Sequence, residues 1–333
     1  MKAFWAKITA WFMAIIAFFT GLFAGGDSKP VDPQPEPTTE VIVVTTEPTT
    51  EPSTEPEIQY VLPRIVTTTD VFEQGYDAMQ ALERLAGLGY EGIDMGFDYW
   101  VFSGSPFLGS DYLTWAAGLR ARADVLGVPY THAHAPGDAA STDYVNRSIR
   151  ASQAIGASYC VVHPITRQKD VTISDTETFL SLNAEAIRQF LPLAQQCGVI
   201  LLSENIPWSP SADPRVIAEL VKRVDSPWFG WCFDTGHAYA RGYGPEILTA
   251  CAVAPLSVHI QDSNGGDDHL IPGDGKIDWT VFAQTLHAVG YRGDCVLEAH
   301  HQSLVAPDDE RDAILTRLLL KGKELQEAMK YPA

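Results

Sequence analysis

The sequence contains no CxxC pair, and its five cysteines (Cys160, Cys197, Cys232, Cys251 and Cys295) are an odd set. A paired-cysteine metal site or a disulfide framework has little to build on. Cys160, Cys232 and Cys295 lie inside apolar runs, where a thiol packs as a small hydrophobe. Positive charge is scarce as well: 23 Lys and Arg stand against 42 Asp and Glu, for a net charge of −19. The first 60 residues carry −5 of this, which leaves −14 on the body. No basic run interrupts that acidity. A surface of this sign repels phosphate backbones and excludes nucleic acid as a partner. A Gly-rich phosphate turn after an early strand is also missing, and with it the usual mark of an open, doubly wound sheet.

What is present falls into three stretches. Lys2 and Lys7 precede an uncharged run from Ile8 to Gly26, just long enough to cross a bilayer. Residues 1–26 are therefore expected to be a signal peptide, with Ala24 and Gly26 as small residues for cleavage, or an uncleaved membrane anchor. The run has no cysteine, which excludes a bacterial lipid anchor. Either outcome exports the body, to the extracellular space or the cell surface. Residues 27–57 are dominated by Pro, Thr and Glu, with the near-repeat TTEPTTEPSTEPE. Such a segment buries no apolar surface and reads as a disordered linker. Residues 58–333 form the globular body.

In the body, short apolar runs alternate with longer stretches of helical period. The predicted strands are Tyr60–Val66, Gly92–Met95, Tyr130–His134, Tyr159–Pro164, Ile200–Glu204, Gly230–Asp234, Ser257–Gln261 and Cys295–Glu298. Helices are predicted near Asp70–Leu88, Tyr112–Leu126, Thr142–Ile155, Thr176–Gln196, Pro214–Val224, Pro245–Val253, Trp279–Val289 and Asp309–Ala328. Eight of each in strict alternation predict an α/β fold, a (β/α)8 TIM barrel.

Inward residues at the C-terminal ends of such strands converge on one mouth. Read in order, they are Asp94, His134 (with His132 on the same face), His163, Glu204, Asp234, His259 and Glu298. The run from Trp231 to Trp279 adds His237, Asp262, Asp267 and His269. Glu204, Asp234, His259 and Glu298 offer three carboxylates and one imidazole, a set suited to a divalent Mn, Mg, Co or Zn ion. A carboxylate on each side of a substrate can then remove and return a proton.

At these residues the chain resembles the xylose isomerase-like TIM-barrel superfamily, in particular its sugar phosphate isomerase/epimerase branch. The resemblance rests on HAPG (134–137), VVHP (161–164), SEN (203–205), CFDTGHAY (232–239), HIQDSNGGDDHLIPGDGKIDW (259–279) and VLEA (296–299). It implies one ion held by Glu204, Asp234, His259 and Glu298, with Glu204 and Glu298 as acid/base pair and a metal-stabilised enediolate. His237 would bind a substrate hydroxyl. Ketose epimerases of the group usually place an arginine in the loop after strand seven, where this chain has Asp267, Asp268 and His269.

That departure is similar to endonuclease IV, a multi-zinc phosphodiesterase of the same superfamily. His134, His163, His237, Asp267 and His269 match its additional ligand positions. The expected function is a metal-dependent isomerase or epimerase of a small carbohydrate or polyol. The alternatives are a multi-zinc hydrolase and a non-catalytic carbohydrate-binding barrel. The membrane is a partner if the first segment stays uncleaved, and an oligomer is possible.

Overall fold

The computed structural model describes residues 60–332. The export segment expected at 1–26 and the linker expected at 27–57 lie outside them. Among the described residues no helix is long and apolar enough to cross a membrane.

Eight short strands form one parallel sheet: β1 Ile65–Thr68, β2 Gly92–Gly96, β3 Tyr130–Asp138, β4 Tyr159–His163, β5 Ile200–Glu204, β6 Phe229–Asp234, β7 Ser257–His259 and β8 Cys295–Leu297. Each pairs with its neighbours in sequence, and β1 also pairs with β8. The seam between β7 and β8 is closed by a parallel bridge between Ile260 and Leu297. Ile260 N donates to Val296 O at 2.8 Å, and Glu298 N donates to Ile260 O at 3.0 Å. That closure rules out the open doubly wound sheet and leaves no free edge.

The surrounding helices are α1 Ala78–Leu88, α2 Tyr112–Leu126, α3 Thr142–Ile155, α4 Thr176–Arg188, α5 Leu191–Cys197, α6 Pro214–Val224, α7 Thr235–Tyr239, α8 Trp279–Ala288, α9 His301–Val305 and α10 Asp308–Met329. Their ends follow local chemistry. Asp77, Asp213 and Asp278 cap α1, α6 and α8 by accepting from backbone N–H groups of the first turn.

Several predicted boundaries move, three of them for a plain local reason. Pro63 has no N–H to give a ladder, so the expected Tyr60–Val66 strand splits around it. Tyr60–Val61 pairs antiparallel with Tyr331–Pro332, and the barrel strand starts at Ile65. The expected Asp70–Leu88 helix begins only at Ala78. Residues Thr69–Val71 are a 3-10 turn, and Gly75 reverses the chain at φ 82°. Pro192, in the first turn of α5, splits the expected Thr176–Gln196 helix. The stretch expected as Pro245–Val253 is a 3-10 helix, Pro245–Ala250.

Helices and strands are sealed by wholly buried side chains such as Phe179, Phe190, Trp231 and Phe233. Each contributes roughly 1.5–3 kcal/mol of apolar burial. The barrel interior is filled separately, by Val161, Leu202 and Cys232 with Tyr159 and Ile200 packed on them. Cys160, Cys232 and Cys295 are buried and unpaired, as small core hydrophobes. His132 crosses the lumen to Ser257, Nε2 to Oγ at 3.0 Å. Burial pushes its pKa down to about 3, so it stays neutral and structural, one layer below the mouth.

Candidate metal centre at the barrel mouth

The strand ends are locked to one another before any ligand is considered. After Glu204, the Asn205 side chain accepts from Asp234 N at 2.8 Å and donates to Asp234 O at 2.9 Å. This ties the ends of β5 and β6 in register. Asp234 caps α7, its Oδ1 accepting from His237 N at 2.6 Å. Gln261 Nε2 donates to both Asp234 oxygens, at 3.2 and 3.1 Å. Gly236 must be glycine for this to happen, since a Cβ there would sit 2.3 Å from Gln261 Oε1. The DTGH motif thus aims one carboxylate and one imidazole at the mouth.

The loop after β7 is pinned by Asp262, which is fully buried. Its oxygens accept from Gly273 N (2.7 Å), Ile277 N (3.1 Å) and Trp279 Nε1 (3.1 Å). A Cβ at Gly275 would lie 2.2 Å from Asp262 Oδ1, which accounts for the glycine in the GDGK turn. Asp262→Ala strands several buried donors and should cost about 3 kcal/mol. Urea unfolding measures this, and wild-type stability in the variant would show that other contacts hold the loop. On the same loop His269 sits in the left-handed region, φ 46°, its N donating to Gln261 Oε1 at 2.8 Å.

Three ligand groups converge above this frame: His134, His163 and Glu204; Glu204, Asp234, His259 and Glu298; and His237, Asp267 and His269. Within each, one donor atom per residue lies within 4.8 Å of the others. Glu204 belongs to two of them. Its Oε2 lies 3.5 Å from His134 Nε2, 3.4 Å from His163 Nε2 and 3.3 Å from His259 Nδ1. Glu298 Oε2 approaches the same His259 Nδ1 at 3.2 Å. Asp267 Oδ1 lies 3.1 Å from His237 Nε2 and 3.0 Å from His269 Nε2.

The far sides of the rings are also held. His237 Nδ1 is 3.0 Å from Asn205 O, and His269 Nδ1 is 2.9 Å from Glu298 O. Each carbonyl accepts the Nδ1 proton, which turns Nε2 toward Asp267. His259 Nε2 points to Asp94 Oδ2 at 3.6 Å. An imidazole oriented from behind by a carbonyl or carboxylate is the usual support of a metal-ligating histidine.

The electrostatics fit a bound cation. Both Glu204 oxygens, Glu298 Oε2 and both His259 nitrogens are buried without a hydrogen-bond partner. Leaving such groups unpaired is costly, and a divalent ion would satisfy them together. Burial opposes ionisation of Glu204, but His259 and the three other histidines outweigh it and hold the carboxyl well below its usual range. Burial likewise works against the His134 cation, yet Glu204, Asp98 and Glu298 raise its pKa to about 10. Burial of His269 is overcome by Asp267 and Glu298, which raise it to about 9. Asp234 is pushed up by burial to about 7. The site is a dense store of protons that a metal can displace.

Of the residues expected from the sequence at this mouth, Glu204, Asp234, His259, Glu298, His134, His163, His237, Asp267 and His269 reach it. His132 stays in the lumen, and Asp94 stands behind His259. The cavity above, about 260 Å³, is also walled by Asp70, Asp98, Tyr99, Trp208 and His300. Asp70 was hidden by the predicted helix that began on it. It lies two residues beyond β1, as Asp98 lies two beyond β2, so a reading carried further into the loops would have found both. His300 stacks on His269, ring centroids 4.0 Å apart.

Comparison with known proteins gives the same architecture. The family model described as xylose isomerase-like TIM barrel matches residues 75–320. An uncharacterised protein of Methanocaldococcus jannaschii is 26% identical over 246 residues, covering 68% of this chain and 80% of its own. The crystal structure of a D-psicose 3-epimerase in the presence of D-fructose superposes with a TM-score of 0.64 at 15% identity, covering 79% of this chain and 99% of that one. A structure titled as the IolI protein with a bound zinc atom gives 0.60 at 15% identity, covering 80% and 98%.

Proposed function

The chain belongs to the xylose isomerase-like TIM barrel family, and from that premise we propose that it is a metal-dependent isomerase or epimerase of a sugar or polyol. The observation that carries this reading is the character of the cavity wall. Among the described residues no Lys or Arg lines it, while Asp70, Asp98, Asp267, Glu204 and Glu298 do. With His134, His163, His237, His269 and His300 on the same wall, it offers hydroxyl groups both acceptors and donors.

Glu204, Asp234, His259 and Glu298 would hold the principal ion. A divalent cation there polarises a carbonyl or hydroxyl oxygen. Glu298, with 9% of its side chain exposed against 1% for Glu204, is the better placed to take a proton from substrate carbon. Glu204 would return it. His237 would orient a substrate hydroxyl unless it is itself a ligand. Export by residues 1–26 would bring the site to free sugars, glycan fragments or polyols.

A second reading, a multi-zinc hydrolase, is favoured by one specific observation: His134, His163 and Glu204, and His237, Asp267 and His269, each bring three donor atoms close enough to share an ion. If Glu204 bridges two ions, it has no free oxygen for proton transfer. Metal analysis of the purified protein, with solvent-deuterium exchange into ketoses and aldoses, separates the two. One ion per chain with exchange, lowered about 10²- to 10⁴-fold in Glu298→Gln, is the expected result. Wild-type exchange in that variant would remove Glu298 from the role. Two or three zincs with phosphodiester cleavage and no exchange would replace the first reading by the second.

A further inference from the structure

Beside the metal cavity lies a second one, of about 310 Å³, with Gly137, Asp138, Ser141 and Thr166 on its wall. The two cavities meet at His163, Ile206 and Trp208, which line both. Each lies near or below the lower end of the range for small-molecule sites, roughly 300–1,000 Å³, and together they fall within it. Neither wall carries Lys or Arg among the described residues.

Trp208 marks the junction. It is 50% exposed, whereas Trp100 and Trp231 are buried and Trp115, Trp228 and Trp279 half-buried. Its loop is fixed, Trp208 O accepting from Ser211 Oγ at 3.2 Å. An open indole held in place at a polar pocket is unfavourable for folding and useful for binding. The C–H face of a sugar ring is apolar while its rim is hydroxylated, so an indole can cover the face as polar groups meet the rim.

The outer cavity supplies such groups. Ser141 stands at the start of α3 without capping it through its side chain, which leaves its Oγ for other partners. A Cβ at Gly137 would lie 2.5 Å from that Oγ, so glycine there keeps the space clear. Asp138 Oδ1 accepts from Ala140 N at 2.9 Å, which fixes the turn.

We infer that the substrate is a neutral glycoside of at least two sugar units, one in the metal cavity and the next in the outer cavity, with Trp208 as their shared platform. The inference rests on the carbohydrate reading above and adds the length of the ligand to it. Ser141→Trp narrows the outer cavity from the start of α3, and Trp208→Ala removes the platform.

The test uses the full-length, metal-loaded protein against a panel of neutral mono-, di- and trisaccharides, followed by calorimetric titration of the binders. A disaccharide should bind about tenfold or more tighter than its component monosaccharide, the scale of one good aromatic contact. Ser141→Trp should abolish that advantage, with metal content measured alongside because His163 shares this wall. Trp208→Ala should weaken both ligands. Equal affinity for one and two units, or a length advantage that survives Ser141→Trp, would overturn the inference. If monosaccharides bind and exchange deuterium with no gain from length, only this inference fails. If no saccharide of any length binds or exchanges, the carbohydrate reading fails with it.

Discussion

Glu204→Gln should empty the principal ion position, and a second one with it under the multi-zinc reading. The carboxylate stands in both the His134–His163–Glu204 set and the set with Asp234, His259 and Glu298. An amide keeps the shape but loses the charge that four histidines face. Altering a residue that merely supports a metal ligand costs roughly 10–100-fold in affinity, so loss of a shared ligand should exceed that. Activity should fall on the order of 10³-fold or more, with both metal binding and any proton transfer removed. Asp267→Asn should instead disturb only the His237–Asp267–His269 set. Metal content of the two variants, measured side by side, checks this. Equal losses in both would mean that the three groups do not act as separate positions.

Divalent metal should raise the melting temperature, and the gain should grow with pH. A ligand at a thousand times its Kd adds about 4 kcal/mol to the folded state. For a barrel of this size that corresponds to about 10 °C. In the metal-free protein His134 and His269 have pKa values raised to about 10 and 9, above the ordinary 6.5. Their contribution to metal-free stability is full below pH 6.5 and is lost as pH rises through 9 and 10. A cation on Glu204 and Glu298 competes with those imidazolium charges, 3.5 and 3.9 Å from the same carboxylates, so its affinity climbs over the same interval. Metal-free stability from these groups thus declines as metal binding strengthens. Thermal melts with and without metal at pH 6, 7.5 and 9 should show a widening gap. A gap independent of pH would mean that these imidazoles are neither protonated without metal nor used to bind it.

The ligand residues were readable because two simple facts coincide at each. A strand end fixes direction, and Asp, Glu or His at that end has few other uses inside a closed barrel. Glu204, Asp234 and His259 end their strands, and Glu298 follows directly on its own. The supporting contacts were not readable, since each depends on how two loops approach. Gln261 looks like an ordinary strand residue until Gly236 lets it reach Asp234. Asn205 reads as a loop polar group until it bonds both backbone atoms of Asp234. Trp208 follows a proline in a loop whose course no periodicity describes. Two of the boundary errors share a cause. Pro63 and Pro192 interrupt runs whose apolar pattern continues past them, and pattern alone does not register a missing N–H.

The short pairing of Tyr60–Val61 with Tyr331–Pro332 has a bearing on how the barrel is carried. Lys330 Nζ lies 5.1 Å from the Tyr60 ring centroid, and Gln326 Nε2 donates to Pro63 O at 2.9 Å. Tyr60 leads into the N-terminal end of β1, while the ligand groups gather at the C-terminal ends of the strands. Tyr60 and Pro332 therefore lie together at the face opposite the mouth, and residues 60–332 could be joined there for circular permutation.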